Sequence, residues 1–247
     1  MELLLVRHGE SQANTEGRMQ GTLDSPLTEL GREQARALGR WLAGQALGLD
    51  AAYCSPLSRA AETAAILGQA LGLTPTPLPD LAEIDAGSLE GLDLAGIQAA
   101  HPSFLERDIT RLGDFEEYGG EGYAAVQARV ARLFEQLKAA HGGPPRALQA
   151  QQAAPTADAP PTADTPPTAH APQRVLLVAH GGILFQLVKS LICRPVPSIA
   201  MLRYGNCTST WVRLRERRGT LIGEVRWHLP LELIGGVERA PALGAFR

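Results

Sequence analysis

The chain of 247 residues has only three cysteines, Cys54, Cys193 and Cys207. Their number is odd and their spacing matches neither a disulfide framework nor a zinc site, so both are set aside. The thiols read as small core residues, and a reducing cytoplasm is the expected setting. No apolar run approaches the ~20 residues of a membrane span. The N-terminus lacks a basic region followed by a long apolar segment and a cleavage site, so no signal peptide is expected. Charge of one sign is not in excess either: 23 Lys and Arg against 26 Asp and Glu leave a net charge of −3. That gives no electrostatic case for nucleic acid or an anionic membrane as partner. Three motifs are also missing. There is no His-Glu-x-x-His, no Gly-x-Ser-x-Gly nucleophile elbow and no Gly-x-x-x-x-Gly-Lys-Ser/Thr phosphate loop.

What is present is 45% hydrophobic residues, enough for one α/β domain with a sizeable core, or one domain with an insertion. Two stretches organise it. Leu3-Leu4-Leu5-Val6 runs into Arg7-His8-Gly9-Glu10, and Val175-Leu176-Leu177-Val178-Ala179 runs into His180-Gly181-Gly182. Each apolar run is too short for a helix and reads as a strand buried on both faces. If the two lie parallel and adjacent, the sheet delivers two imidazoles to one edge, in the crevice where open α/β sheets bind ligands.

Between these strands the pattern alternates. Glu10 to Leu27 reads as a loop, long against a usual ~4–6 residues, and carries Asn14, Arg18 and Gln20. Thr28 reads as a helix cap, with Gly31, Ala35, Leu38 and Leu42 making an apolar stripe that ends near Gly44 or Gly48. Ala51 to Cys54 is a short strand. Ser55-Pro56 then reads as the cap and first turn of another helix, which places Arg59 in its first turn. Such a terminus attracts anions, and a guanidinium there fits phosphate or carboxylate. Leu73 to Leu78, with its prolines, reads as an edge strand. Glu83, Asp85 and Glu90 follow in a glycine-marked loop, each a candidate general acid or a plain turn residue. Leu94 to Gly119 has no clean period and predicts short helices capping the strand ends. Val126, Val130, Leu133 and Leu137 mark a helix from near Gly120 to before Gly142.

Gly142 to Gln173 contains three near-copies of one hexad: Pro155 to Pro160, Pro161 to Pro166 and Pro167 to Pro172. So much proline with so few apolar side chains cannot bury a core. The segment reads as a solvated insertion within one domain, and His170 in it is not a candidate for catalysis. Ile183 to Ile192 predicts a helix that starts at the strand end. Thr208 to Leu214 and Glu224 to Leu229 predict a hairpin joined through Arg215-Glu216-Arg217-Arg218-Gly219. His228 there reads as structural, and the tail from Gly235 as frayed.

Two histidines, two arginines and nearby carboxylates at one crevice admit several chemistries. Two histidines and an acid can bind zinc, but an arginine beside each would repel a cation. Phosphoryl transfer to histidine fits best: arginines offset the charge of a phosphoryl group, and a neutral imidazole is a competent nucleophile.

One ordered set of residues carries a resemblance. Leu5-Val6-Arg7-His8-Gly9-Glu10-Ser11, Asn14, Gln20-Gly21, Asp24 to Gly31, Ser55-Pro56-Leu57-Ser58-Arg59-Ala60, Glu83-Ile84-Asp85 with Gly87 and Glu90-Gly91, and Val178 to Gly182 together resemble the histidine phosphatase superfamily, branch 1, the phosphoglycerate mutase-like group. The resemblance covers Met1 to about Gly91 and Arg174 to about Trp211. It implies a three-layer α/β sandwich with a mostly parallel central sheet, helices on both faces and a helical cap, here about residues 84–122 of a single domain 1–247. It implies that His8 attacks phosphorus, that Arg7 and Arg59 grip the phosphoryl oxygens with His180, and that Glu83 handles the leaving-group proton. Asn14 and Gln20 would be further phosphate contacts. No metal or cofactor is implied, and the partner is a small phosphorylated metabolite, with monomer and homodimer both open. After Glu83 the chain reads Ile84 to Gly91, which resembles the phosphatase subgroup. The Glu-Arg-His/Arg-Tyr-Gly signature of cofactor-dependent phosphoglycerate mutases, the alternative function, is not there. In the cap, His101, Arg107 and Arg111 are possible substrate contacts. A scaffold protein on the same fold is disfavoured because Arg7, His8, Arg59, Glu83 and His180 are all present.

Overall fold

The computed structural model describes residues 1–106, 113–142, 173–192, 204–217 and 220–231. Six strands form one sheet: β1 (Glu2–Arg7), β2 (Ala51–Cys54), β3 (Thr76–Pro77), β4 (Arg174–Ala179), β5 (Ser209–Arg217) and β6 (Thr220–Leu229). Their order across the sheet is β3-β2-β4-β1-β5-β6. The first four run parallel, and β5 and β6 add an antiparallel edge. The two apolar runs are therefore adjacent parallel strands in the middle of the sheet, as their composition requires.

Alternation along β1 and β4 splits the core in two. Leu3, Leu5, Val175 and Leu177 face one way, against helices α5 (Tyr123–His141) and α6 (Gly181–Ile192). Leu4, Val6, Leu176 and Val178 face the other, against α2 (Glu29–Gly44) and α3 (Ser58–Leu71). The stripe Ala35, Leu38 and Leu42 on α2 packs there as its 3.6-residue period predicts. A third, smaller cluster of Ala86, Leu89, Ile97 and Tyr118 holds the cap, built from α4 (Leu94–Ala100) and short 3-10 turns. Backbone bonds between Met19 and Leu92 and between Gly91 and Met19 join the cap to the loop after β1.

Four boundaries depart from the sequence reading. The loop from Glu10 to Leu27 contains a short helix, α1 (Gln12–Thr15), because the Asn14 side chain accepts from the Ser11 N–H at 3.1 Å and closes a turn. Helix α3 begins at Ser58 behind a Leu57 cap, two residues later than Ser55-Pro56 would place it. Ser55 is still held by the sheet, its N–H donating to the Val178 carbonyl at 2.9 Å. The β5–β6 ladder continues through Arg215, Glu216 and Arg217, which pair with Ile222, Leu221 and Thr220 instead of forming the turn. At the sheet edge β3 is shorter than expected, since its prolines remove ladder donors.

The hexads, His170, Cys193, Arg107, Arg111 and the tail from Gly235 lie outside the described residues. The flanks of the hexad segment meet: His141 Nδ1 lies 3.0 Å from Gln173 Oε1, and His141 Nε2 lies 2.9 Å from the Tyr53 hydroxyl. That junction is at the N-terminal end of β4, the opposite end from His180. Among the described residues no helix is long and apolar enough to cross a membrane.

Candidate active site

The β1–β4 register pairs Val6 with Val178 and Arg7 with Ala179. The next residue on each strand is His8 and His180. The His8 N–H donates to the Ala179 carbonyl at 3.0 Å, and the two ring centroids are 5.1 Å apart. Both imidazoles are buried.

His8 is held from several directions. Its Nδ1 lies 2.6 Å from the Gly9 carbonyl oxygen. A carbonyl only accepts, so the neutral ring carries its proton on Nδ1 and leaves a bare lone pair on Nε2. The His8 carbonyl accepts from the Cys207 N–H at 3.2 Å. The Gly9 N–H donates to Thr63 Oγ1 at 3.0 Å, and the Glu10 N–H to Gln34 Oε1 at 2.9 Å. Gly9 and Gly31 approach so closely that a Cβ on Gly9 would lie 2.3 Å from the Gly31 carbonyl oxygen. Burial holds the His8 pKa well below the ordinary imidazole value, with Arg7 and Arg59 adding to it and the Gly9 bond opposing. The ring is neutral at physiological pH.

The two arginines enter from different elements. Arg59 occupies the first turn of α3 and is 1% exposed. Its Nη1 donates to the Leu23 carbonyl at 2.7 Å and its Nη2 to the Gly21 carbonyl at 2.8 Å. The guanidinium thus also pins the loop that carries Gln20. Arg7 donates through Nη1 to the Tyr204 carbonyl. Arg7 Nε, Arg59 Nε and His180 Nδ1 are buried and have no hydrogen-bond partner in the protein.

Of the three acids in the glycine-marked loop, Glu83 joins this group. Its Oε2 accepts from the Gly182 N–H at 3.0 Å and its Oε1 from the Ile183 N–H at 2.9 Å, so the carboxylate sits on the N-terminus of α6. Its charge acts on both Arg7 and Arg59. Asp85 and Glu90 are structural. Asp85 Oδ1 accepts from the Gly87 N–H at 2.8 Å, while Glu90 Oε1 accepts from the N–H groups of Thr22 at 2.7 Å and Ala86 at 3.1 Å.

Asn14 and Gln20 lie on the neighbouring loop. Ser11 Oγ is 3.0 Å from Asn14 Oδ1 and 2.9 Å from Gln20 Oε1, and Asn206 Nδ2 donates to Asn14 at 3.2 Å. Their amide oxygens are engaged locally rather than with the two histidines. In the cap, His101 lies 3.1 Å from the Ser88 hydroxyl and packs edge-on to Tyr118.

The profile of the histidine phosphatase superfamily, branch 1, matches residues 3–149. The chain belongs to that superfamily. Phosphoserine phosphatase 1 of Hydrogenobacter thermophilus is 35% identical over 57% of this chain and 66% of its own length. The protein named probable phosphoglycerate mutase GpmB of Salmonella paratyphi A is 29% identical over 98% of this chain and 97% of its own. Among solved structures, a mycobacterial glucosyl-3-phosphoglycerate phosphatase complexed with VO3 superposes with a TM-score of 0.71 at 28% identity, covering 92% of this chain and 97% of that one. The α-ribazole phosphatase of Shigella flexneri gives 0.65 at 25% identity, over 91% and 95%.

Residues that no sequence motif marks also surround the crevice. Gln34, Thr63, Tyr204 and Asn206 support the crevice through bonds to backbone or to Asn14. Gln34 and Thr63 are buried polar positions on helices, and nothing in their local pattern distinguishes them. The Ser55 hydroxyl, which accepts from the Leu57 N–H at 3.2 Å, also lies 2.7 Å from His180 Nε2, a contact that the capping pattern does not predict.

Proposed function

We propose that this protein is a metal-independent phosphomonoester hydrolase working through a phosphohistidine on His8. The observation that carries the reading is the set of buried, unpartnered groups on Arg7, Arg59 and His180 around a histidine whose Nε2 lone pair is free. A phosphoryl dianion supplies acceptors for all three.

In the first step the Nε2 lone pair forms the N–P bond as the P–O bond to the leaving alcohol breaks. Arg7, Arg59 and His180 hold the non-bridging oxygens and offset their charge. Glu83 donates a proton to the leaving oxygen. In the second step Glu83, now a carboxylate, takes a proton from water; the water oxygen bonds to phosphorus, the N–P bond breaks, and the proton returns Glu83 to its starting state. Asn14 and Gln20 contribute further contacts from the loop that Arg59 pins.

The substrate is a small phosphorylated metabolite, met in the cytoplasm by a single catalytic domain with a cap near 84–122 and an insertion near 142–173. The phosphatase-named relatives and structures support hydrolysis. The near full-length match to a relative named as a probable phosphoglycerate mutase keeps a cofactor-dependent mutase as the second reading. Hydrolysis of p-nitrophenyl phosphate in EDTA, then of phosphoserine, glucosyl-3-phosphoglycerate and α-ribazole phosphate, separates them. Phosphate release by the wild type and none by His8→Ala supports the hydrolase. Bisphosphoglycerate-dependent exchange of phosphoglycerates without release moves the protein to the mutase.

A further inference from the structure

His180 is bonded on one ring nitrogen only. Nε2 lies 2.7 Å from Ser55 Oγ, while Nδ1 is buried and has no protein partner. Ser55 itself is fully buried and fixed. Its N–H donates to the Val178 carbonyl at 2.9 Å, and its Oγ accepts from the Leu57 N–H at 3.2 Å.

A hydroxyl has one proton and two lone pairs. With the Leu57 N–H on one lone pair, the Ser55 proton needs an acceptor, and the Nε2 lone pair of His180 is within reach. The opposite assignment puts the proton on Nε2. It leaves the buried hydroxyl proton without an acceptor and turns Nδ1 into a lone pair. A lone pair there would repel the anion that the unpartnered nitrogens of Arg7 and Arg59 call for. Only the first assignment satisfies every group at once.

His180 is neutral: burial holds its pKa well below the ordinary value, with His8, Arg59 and Arg7 adding to the effect. A neutral imidazole donates a single hydrogen bond, so its tautomer decides where that donor points.

We propose that Ser55 is a positioning residue whose hydroxyl locks His180 in the Nδ1–H tautomer, so that His180 donates to the bound phosphoryl oxygen through Nδ1. This rests on the phosphoryl-site reading above. Ser55 does not touch the substrate. It sets the donor that does.

The test uses the full chain labelled with 15N-histidine, with ring nitrogens read by 1H–15N correlation and the His180 signals assigned by their loss in His180→Gln. In the wild type, with and without orthovanadate, His180 should show a protonated Nδ1 and a bare Nε2. Ser55→Ala should lose that preference, bind vanadate more weakly and lower kcat/KM by about 10-fold to 100-fold, as expected for losing an oriented hydrogen bond to a charged group. Ser55→Thr keeps the hydroxyl and should restore the tautomer. A wild-type His180 protonated on Nε2 overturns the proposal, and so does a Ser55→Ala protein with the wild-type tautomer. The wild-type measurement decides even if Ser55→Ala does not fold. Failure of the phosphohistidine reading is seen separately, as turnover by His8→Ala.

Discussion

Gly182 lies under Glu83 so closely that a Cβ on it would sit 2.7 Å from Glu83 Oε1. The second glycine of His180-Gly181-Gly182 is therefore what lets the carboxylate reach the N–H groups at the start of α6. A Gly182→Ala side chain must push Glu83 away from Gly182 and Ile183. A displacement of this order in a proton-transfer group costs about 10²-fold. Steady-state kinetics on Gly182→Ala should show that loss in kcat while far-UV circular dichroism stays native. Unchanged kcat would mean that the seat of Glu83 on α6 does not matter.

Two neutral histidines buried beside two arginines make stability depend on pH. Burial is the largest cause of both depressed pKa values, and the arginines add to it. The unfolded chain takes up protons on these imidazoles near pH 6.5 while the folded chain does not. Their contribution is thus fully present above pH 6.5 and is lost as pH falls toward the folded values, by at most about 1.4 kcal/mol per pH unit for each histidine. Thermal unfolding from pH 7.5 to pH 5 should show a falling midpoint, and His180→Gln should flatten the slope. An equal slope in the variant contradicts the assignment.

The flanks of the hexad segment meet at His141, Gln173 and Tyr53, at the end of β4 remote from His180. Replacing residues 143–172 by a short Gly-Ser linker should leave kcat/KM within about 2-fold of wild type, because loop length alone costs little. A large loss of activity would tie the segment to the site.

The central strands were legible because β1 and β4 are buried on both faces, and continuous apolar runs are what such strands require. Arg7, His8 and His180 follow from where those runs stop. Arg59 was legible as a charge out of place at a helix N-terminus. Local pattern alone does not separate Glu83 from Asp85 and Glu90; only the family resemblance does, because the acid that meets α6 is set by a contact about 100 residues away in the chain. Serine before proline commonly opens a helix, yet here the sheet holds the Ser55 backbone and its hydroxyl meets His180, so the local pattern does not show this role. Asn206 and Tyr204 act through contacts nearly the length of the chain away, which no local pattern encodes.

The most direct test is to trap the enzyme during turnover. Wild-type protein quenched while hydrolysing p-nitrophenyl phosphate in EDTA should carry one acid-labile, base-stable phosphoryl group, mapped to His8 by mass spectrometry and absent from His8→Ala. A phosphoryl group on another residue, or turnover by His8→Ala at the wild-type rate, would contradict the account.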